Sequence, residues 1–519
     1  PYNVYGGMQD NGSWKGPSAV WREGGIRNNA WEELFFGDGF DVVPDKSDPN
    51  YAYAMAQGGA LARCNTVTGA AKFIKPVHPD GVQLRFNWNA GIAADPFDAK
   101  TIYYGSQFLH KSANRGDSWE IISPDLTTND TTKQKQLQSG GLTYDVTAAE
   151  NHTTIIAVAP SPVKQGVIWV GTDDGNLQLT TDGGKTWNNL IAKLKGVPAN
   201  TWIPQIHASP HNANEAFVVL DNHRRNDWTP YVYRTRDLGK TWERLNLDNK
   251  MGFAYCVAQD PVEPNLLFVG TEFGLYVSVD GAKTWTKWKA GFPTVPTMDL
   301  AIHPRDGDLV IGTFGRAAYV LDDIRPLRAV AKEGSKVLDQ PLRVFEAPVA
   351  YQANIRQPAG MHNFAADNYF YGENKPAGAS ISFAFNNAAK AEKDKLKTDS
   401  VKVEVLNASR EVIRTFKAPA KPGVNRLLWK LDQKTPRLPS QPKPTGDRPE
   451  MGGMDVMPGE YLVRVSFDKA KDSTKVIVKP DPRSPLPTEV LTARREMVNQ
   501  LIKKIETATT AADRLRESQ

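Results

Sequence analysis

Carboxylate side chains follow two similar apolar runs, and paired carboxylates are the usual catalytic groups for cleaving glycosidic bonds. Asp173 and Asp174 come directly after VIWVGT (167–172), and Glu272 comes directly after LLFVGT (266–271). Retaining cleavage needs two carboxyl groups about 5–5.5 Å apart, and inverting cleavage needs them about 6.5–9.5 Å apart. The three residues are therefore the candidate catalytic set. Acidic residues also favour tight turns for purely structural reasons, and that alternative stays open at each position.

Arginine and tryptophan side chains occupy other turns and strand beginnings of the same kind. The longest of these turns reads NHRRNDW (222–228) and contains two adjacent arginines. Charged groups beside flat aromatic rings are typical of sugar-binding and of peptide-anchoring sites. The candidate ligand-binding residues are Asp10, Arg85, Trp88, Trp202, Arg224, Arg225 and Arg316.

An eight-residue motif of the form S/T-x-D-x-G-x-T/S-W occurs four times, at 112–119, 180–187, 235–242 and 278–285. Its Asp or Asn can accept backbone hydrogen bonds, its Gly permits a positive φ, and its Thr favours a returning strand. Its Trp can bury a large flat surface. The motif is therefore predicted to be a structural turn between two strands. Its structural residues are Asn114, Trp119, Asp182, Trp187, Asp237, Trp242, Asp280 and Trp285.

Each copy of the motif belongs to a longer repeating unit. An apolar stretch ending near a proline comes first, an apolar run ending in Gly-Thr or similar follows, and the motif comes last. Four short strands per unit at this spacing predict a β-propeller of about six to seven blades. The prolines that mark the units are Pro49, Pro96, Pro162, Pro210, Pro261 and Pro304, which lie 47, 66, 48, 51 and 43 residues apart.

Strand order within a propeller blade predicts where the candidate residues lie. The strands run from the inner to the outer edge, so the motif turn between the third and fourth strands lies on one face. The Gly-Thr turn between the second and third strands lies on the opposite face, together with the loop that leads into each inner strand. We expect the candidate catalytic and ligand-binding residues to gather on that opposite face.

The eight-residue motif resembles the Asp-box, or BNR repeat, of sialidases, xyloglucanase-type glycoside hydrolases and sortilin-type receptor propellers. The surrounding sequence, including VYGGMQDNGSWKGPS (4–18), GTDDG (171–175) and TFGRAAYVLDD (313–323), is similar to large bacterial secreted proteins labelled sortilin-like or BNR-repeat glycosyl hydrolase proteins. The resemblance implies a secreted, periplasmic or outer-surface location. It also implies a glycan or polypeptide ligand and partners among other cell-envelope proteins. The Arg-Ile-Pro motif of sialidases does not occur, which argues against that activity.

Composition excludes several function classes. The 519 residues include 63 basic and 58 acidic side chains, a net charge of +5 that is too balanced to indicate nucleic-acid binding. No apolar run reaches the roughly 18 residues of a transmembrane helix, and no cofactor or metal-binding motif occurs. Cys64 and Cys256 fall in different predicted blades, and two buried free thiols are favoured over a disulfide. The chain begins at a second-strand pattern, so we expect a propeller that is N-terminally incomplete.

The repeating pattern stops after Asp323, and VKVEVL (401–406) then shows the strict alternation of a two-sheet sandwich. The last segment has the apolar spacing of a helix. The predicted domains are a propeller over 1–325, a linker over 326–345, an immunoglobulin or fibronectin type III-like β-sandwich over 346–480, and a C-terminal helical segment over 486–519.

Two functions from different classes remain open at this point. The favoured hypothesis is a secreted or cell-surface interaction or scaffold protein whose propeller face binds a glycan or a polypeptide. The alternative is an exported glycoside hydrolase, sialidase- or xyloglucanase-like, that uses paired carboxylates on the same face. Carboxylates that point into backbone turns would argue against the alternative.

Overall fold

The chain folds into two compact units, which we describe from a computed structural model. The described residues are 1–135, 149–355, 371–386, 399–443, 452–484 and 486–518. One unit comprises Pro1–Ser18 and Arg27–Asp322, and the other comprises Ala19–Ile26 and Asp323–Gln519.

The first unit is a β-propeller of seven antiparallel sheets that follow one another along the chain. The first sheet contains β1 (Asn3–Met8), β2 (Gly12–Pro17) and β4 (Glu32–Phe35), and β3 is the short strand Ile26–Arg27. The second sheet contains β5 (Val42–Pro44), β6 (Tyr51–Ala56), β7 (Ala60–Asn65) and β8 (Ala71–Phe73). The third contains β9 (Ile92–Ala94), β10 (Ile102–Gly105), β11 (Leu109–Ser112) and β12 (Glu120–Ile121).

The remaining four sheets continue the same order from the inner to the outer edge. The fourth contains β13 (Ile155–Pro160), β14 (Ile168–Thr172), β15 (Leu177–Thr180) and β16 (Asn188–Asn189). The fifth contains β17 (Trp202–Ala208), β18 (Ala216–Asp221), β19 (Tyr231–Thr235) and β20 (Glu243–Arg244). The sixth contains β21 (Ala254–Gln259), β22 (Leu267–Thr271), β23 (Gly274–Ser278) and β24 (Thr286–Lys287). The seventh contains β25 (Thr297–His303), β26 (Asp308–Thr313) and β27 (Ala318–Leu321).

The second strand of each complete sheet lies in the core of the propeller. Every residue of β10, β14, β18 and β22 is buried. A sheet that is covered on both faces selects apolar residues at successive positions and not at alternate ones. This packing explains the continuous apolar runs that end in Gly-Thr in the sequence.

The motif turns form closed hydrogen-bonded loops between the third and fourth strands. In the third copy, Asp237 accepts bonds from the backbone N–H of Thr241 at 2.9 Å and from its hydroxyl at 2.6 Å, while Gly239 N donates to Thr235 Oγ1 at 2.9 Å. These Thr241 bonds lower the pKa of Asp237 to about 2. The equivalent acceptors are Asn114, Asp182 and Asp280, which receive the N–H groups of Ser118, Thr186 and Thr284.

The motif tryptophans connect neighbouring sheets. Trp119 Nε1 donates to Ile74 O at 2.7 Å, and Trp187 Nε1 donates to Ile122 O at 3.1 Å. In both pairs the carbonyl follows the outer strand of the preceding sheet. Trp242 instead packs edge-on against the Trp169 ring of the preceding sheet, with ring centroids 6.0 Å apart, and Trp285 packs on the core between the fifth and sixth sheets.

The first and last sheets of the propeller meet through one side chain near the N-terminus. The Tyr2 hydroxyl donates to Asp308 Oδ2 at 3.0 Å, and the Tyr2 ring stacks on His303 with centroids 3.9 Å apart. β1 packs beside β5 on the other side. The seven sheets therefore form a ring.

The second unit is a two-sheet β-sandwich with two helices. Its helices are α1 (Arg325–Glu333) and α2 (Thr488–Ser518). Its strands are β28 (Leu342–Val344), β29 (Ala350–Gln352), β30 (Tyr371–Gly372), β31 (Ala379–Phe385), β32 (Asp399–Leu406), β33 (Val412–Ala420), β34 (Gly423–Trp429), β35 (Asp432–Lys434), β36 (Gly452–Asp455), β37 (Gly459–Phe467) and β38 (Ala470–Pro480). A three-stranded sheet, β28-β31-β34, and a five-stranded sheet, β29-β38-β37-β32-β33, enclose one apolar core.

Three further features bear on the expectations from the sequence. The region 326–345, expected to be a linker, contains most of α1. Cys64 on β7 and Cys256 on β21 are both buried free thiols. Among the described helices, none combines the length and the apolar character needed to cross a membrane.

The packing of Trp187 generates a stability prediction. Trp187→Ala removes the contact with the third sheet and the bond to Ile122, so we expect it to lower the free energy of unfolding by about 3 kcal/mol. Chemical denaturation of both proteins measures the change. Trp228→Ala is the matched control, because the Trp228 side chain is 47% exposed. Equal losses in the two variants would show that Trp187 does not hold the sheets together.

Candidate functional site

Asp173 is a buried residue that joins two sheets. It is 0% exposed and accepts hydrogen bonds from Asn87 Nδ2 at 2.8 Å, Thr154 N at 2.8 Å and Thr154 Oγ1 at 2.7 Å. Burial raises the pKa of Asp173 to about 7, and the neighbouring Asp174 charge adds to the rise, while the bonds from Thr154 and Asn87 oppose it. Since no solvent reaches this carboxyl group, its geometry argues against the predicted catalytic role.

Asp174 is also directed into the protein. It is 2% exposed, and it accepts bonds from Thr128 N and Thr128 Oγ1 at 2.7 Å each and from Thr172 Oγ1 at 2.5 Å. The Thr128 donors lie in a loop of the preceding sheet, and Thr172 is the last residue of β14. A carboxylate with this many short bonds is a structural acceptor, so the geometry argues against catalysis by Asp174 as well.

Glu272 differs from both aspartates. Its side chain is half-buried, and its Oε2 atom is buried without a hydrogen-bond partner among the described residues. A Cβ atom placed on Gly252 would lie 2.6 Å from this oxygen, so only glycine at that position leaves room for the carboxylate. A buried acceptor without a partner costs free energy, which a donor on a ligand would recover. Glu272 is therefore the one carboxylate of the candidate catalytic set whose side chain is partly exposed.

Next to Glu272 lies a group of side chains that we call the aromatic cluster: Trp202, His223, Arg224, Phe253 and Tyr255. The Arg224 guanidinium stacks over the Trp202 ring, 4.0 Å from its centroid. His223 stacks on Phe253 with centroids 4.3 Å apart, and Phe253 contacts Tyr255 at 4.7 Å. The cluster extends from the fifth sheet to the sixth, on the face opposite the motif turns.

Asp221, the last residue of β18, orients the polar members of the cluster. Its carboxylate accepts from His223 Nδ1 at 2.6 Å and from Arg224 Nη1 at 3.1 Å. The Asp221 side chain is 5% exposed, whereas that of Arg224 is 51% exposed. The guanidinium is thus fixed by a buried anion while its outer surface stays open to solvent.

Tyr255 lies between the two acidic groups of this region. Burial raises the pKa of Tyr255 to about 12, with contributions from the Asp221 and Glu272 charges. The phenol therefore keeps its proton at neutral pH and can donate a hydrogen bond. A deprotonated tyrosine nucleophile is disfavoured here.

The other candidate ligand-binding residues lie outside the aromatic cluster. Arg85 bonds to Asp125 Oδ2 at 2.7 Å, and Arg225 bonds to Ala199 O at 2.8 Å, so both arginines hold neighbouring loops. Asp10 is an exposed turn residue with φ 60°. Trp88 lies in the loop before β9, and Arg316 lies in the turn between β26 and β27. Trp202 and Arg224 of the predicted set are in direct contact.

Sequence reasoning missed two kinds of residue. Asp221 ends the apolar run EAFVVLD (215–221), and Phe253 precedes an inner strand, so neither stood out from its neighbours.

The second kind comprises two exposed carboxylates of the channel. Asp41 lies just before the inner strand β5, and Asp299 lies on the inner strand β25. Inner strands line the channel of a propeller. No local pattern connects residues so far apart in the chain.

The two channel carboxylates have raised pKa values. Desolvation by the protein atoms around it raises the pKa of Asp41 to about 7, and the charge of Asp299 adds to the rise. Desolvation also raises the pKa of Asp299, and the backbone N–H of Leu300 opposes this rise. Within the described ranges, no group of three or more His, Cys, Asp or Glu residues is placed to hold a metal ion.

Comparisons with known proteins relate the chain to xyloglucan-degrading enzymes at low identity. No protein-family model matches the sequence. A xyloglucanase, Xgh74A, of Acetivibrio thermocellus is 27% identical over 147 residues, which cover 26% of this chain and 17% of the relative. A probable oligoxyloglucan-reducing end-specific xyloglucanase of Neosartorya fischeri is 28% identical over 183 residues, which cover 33% of this chain and 19% of the relative. The matches therefore span less than a fifth of each relative's length.

A solved structure adds a comparison of the fold. The GH74 xyloglucanase from Xanthomonas campestris aligns with a TM-score of 0.43 and 17% identity, covering 62% of this chain and 50% of the other.

The channel carboxylates generate a pH prediction. A carboxyl group whose pKa is raised from 3.8 to about 7 by folding destabilises the native state progressively as pH rises through that interval. Asp41→Asn should therefore raise the melting temperature relative to wild type by more at about pH 8 than at about pH 4.5. Thermal melts at both pH values measure this difference. Asp10→Asn is the control, and a pH-independent effect of Asp41→Asn would contradict the prediction.

Proposed function

We propose that the propeller is a glycan-binding module of an exported protein and that the aromatic cluster is its binding site. The observation that carries the proposal is the Trp202–Arg224 stack beside the unpartnered Glu272 oxygen. Flat aromatic rings complement the apolar faces of pyranose rings, and the adjacent charged groups complement sugar hydroxyls. Because the sequence relatives are xyloglucanases, xyloglucan is the first ligand to test.

Preorganisation supports this proposal further. Asp221 fixes the Arg224 guanidinium over Trp202, so the pair loses little conformational freedom when a ligand arrives. Protonated Tyr255 adds a hydrogen-bond donor, and Glu272 adds an acceptor. The site therefore offers a platform, a donor and an acceptor within one small area.

Glycoside hydrolysis is the second candidate function, and the availability of Glu272 favours it. Asp173 and Asp174 are directed into turns, so Glu272 is the carboxyl group best placed to transfer a proton to a glycosidic oxygen. Asp221 is the other carboxylate whose charge acts on Tyr255, and it accepts hydrogen bonds from His223 and Arg224. Glu272 with Asp221 therefore replaces the pairing of Glu272 with Asp173 or Asp174 that the sequence predicted.

The motif turns and the second unit can also be assigned to known types. We infer that the repeated turns are Asp-boxes of the BNR type and that the sandwich is an immunoglobulin-like accessory domain. A secreted, periplasmic or outer-surface location agrees with these assignments, and other cell-envelope proteins are the expected partners.

Binding can be tested with xyloglucan oligosaccharides by isothermal titration calorimetry. We expect Trp202→Ala and Arg224→Ala each to weaken binding about tenfold or more, since each removes half of the stacked pair. Arg236→Ala is the matched control, because Arg236 is an exposed arginine on the motif face of the same sheet and pairs with Glu243. If Arg224→Ala and Arg236→Ala bind alike, the cluster is not the site.

Turnover provides a separate test of the second candidate. Glu272→Gln should lower hydrolysis of xyloglucan oligosaccharides by about 100-fold or more while ligand binding persists, since the amide cannot transfer a proton. Reducing-end release measures turnover, and Asp10→Asn serves as the control. Wild-type protein that binds the oligosaccharides without cleaving them would exclude hydrolysis and leave the binding proposal intact.

A further inference from the structure

A pocket opens between the second and third sheets of the propeller, on the face that carries the motif turns. Its volume is about 300 Å³, at the small end of the range for ligand pockets, which is about 300–1,000 Å³. The residues that line it are Tyr51, Arg63, Lys100, Asn114, Arg115 and Asp117. Three of the six carry a positive charge and one carries a negative charge, so the pocket is suited to an anion.

Separate elements bring the three cations to the pocket. Arg63 lies on β7, Lys100 lies in the turn between β9 and β10, and Arg115 lies in the first motif turn. A bond from Arg63 Nη1 to Arg115 O, 2.9 Å long, joins the second sheet to the third. The group of cations is therefore part of the packing between two sheets and is not a run of charges along the chain.

Carboxylates hold two of the cations in place. Arg115 Nε donates to Asp45 Oδ2 at 2.9 Å, and the Asp45 side chain is 0% exposed. Asp117 pairs with Lys72 at 2.6 Å and with Arg63 at 3.3 Å, so Lys72, outside the lining, balances the charge of Asp117. Both guanidinium groups are thus fixed before a ligand arrives, which lowers the entropic cost of binding.

Lys100 and Tyr51 keep polar groups available to a ligand. Lys100 is exposed, and neither its Nζ atom nor the Tyr51 hydroxyl bonds to another of the described residues. Asp98, near Lys100 in the chain, accepts the Thr101 hydroxyl at 2.6 Å and the Lys100 backbone N–H at 3.1 Å. The Lys100 ammonium group can therefore serve as a point charge for an anionic ligand.

The first motif turn differs from the other three copies where it meets this pocket. Asn114 stands where the other copies carry an aspartate, and Asp117 stands where they carry a lysine. The carboxylate of this turn is thereby placed beside Lys72, and an uncharged amide is left at the pocket. Arg115 has φ 60°, a conformation that favours glycine, and the second and fourth copies have a glycine there.

We propose that this pocket binds a phosphate group, either as the free ion or as the phosphate ester of a small sugar, between Arg63, Lys100 and Arg115. Guanidinium and ammonium groups form short, charge-assisted hydrogen bonds with phosphate oxygens. Three cations from three elements match the several oxygens of a phosphate group better than the two oxygens of a carboxylate. The site lies on the face opposite the aromatic cluster and does not depend on glycan binding there.

Isothermal titration calorimetry with the 519-residue chain is the measurement, and the probes are inorganic phosphate, glucose 6-phosphate and glucose. We expect at least one phosphate probe to bind with a Kd below about 1 mM and glucose not to bind. Raising the salt concentration from about 50 mM to about 500 mM should weaken phosphate binding several-fold, because salt screens the charges. Excess xyloglucan oligosaccharide should not displace the bound phosphate.

Two variants test the pocket residues. Lys100→Ala should weaken binding at least about tenfold. Asn114→Asp should also weaken binding, because it adds a negative charge at the pocket, and its melting temperature should match that of wild type, since aspartate accepts the same bonds in the other copies. Lys185→Ala is the matched control, because Lys185 is an exposed lysine of the second motif turn and should leave binding unchanged.

Two results would overturn the inference. Equal binding of glucose and glucose 6-phosphate, or no binding of either phosphate probe, would show that the phosphate group is not recognised. Equal losses of affinity in Lys100→Ala and Lys185→Ala would assign binding to dispersed surface charge. Tighter binding of glucose 6-phosphate than of phosphate supports an ester as the ligand, and equal binding of the two supports the free ion. None of these results bears on the xyloglucan measurements, so the two proposals fail separately.

Discussion

The second to sixth sheets of the propeller are packed between neighbouring sheets, and most features of the molecule depend on this packing. In the third to sixth sheets the second strands are wholly buried, so their residues are mostly apolar, and in β14 and β22 a glycine next to the last residue admits the next inner strand. Charged groups are rare in these strands, where Asp221 ends β18, and they collect in the turns at either face. One face is occupied by the motif turns, whose carboxylates are already engaged. Carboxylates that could meet a ligand therefore lie on the opposite face and in the channel.

Turn carboxylates on that opposite face differ in whether neighbouring loops supply hydrogen-bond donors to them. Asp173 is held by three hydrogen bonds from neighbouring loops and serves as a connector between sheets. Glu272 occupies the corresponding turn two sheets further along and keeps an oxygen without a partner. The difference comes from the loops around each turn: Asn87 and Thr154 surround Asp173, whereas Gly252 leaves space beside Glu272. Availability for a ligand is thus decided by the neighbours of a carboxylate and not by its position in the repeat.

The sequence predicted the propeller well because its signals are local. A repeated turn motif and apolar runs at regular spacing define sheets whose strands are adjacent in the chain. The face on which the aromatic cluster lies followed from strand order alone. The choice among Asp173, Asp174 and Glu272 did not follow, because the donors that bury the aspartates come from loops far away in sequence. Asp41 and Asp299 were missed for the same reason, since only the closed ring brings them near one another.

The bond between Tyr2 and Asp308 joins residues 306 positions apart, and this has a consequence for the kinetics of folding. All other sheet neighbours in the ring are also neighbours in sequence and close short loops, whereas the contact between the first and seventh sheets closes a loop that spans the whole propeller. Loop closure over such a separation is entropically costly and slow. The six sequential interfaces therefore form first, and the junction at Tyr2 forms last. We expect the same junction to open first in native-state hydrogen exchange, before the rest of the ring unfolds.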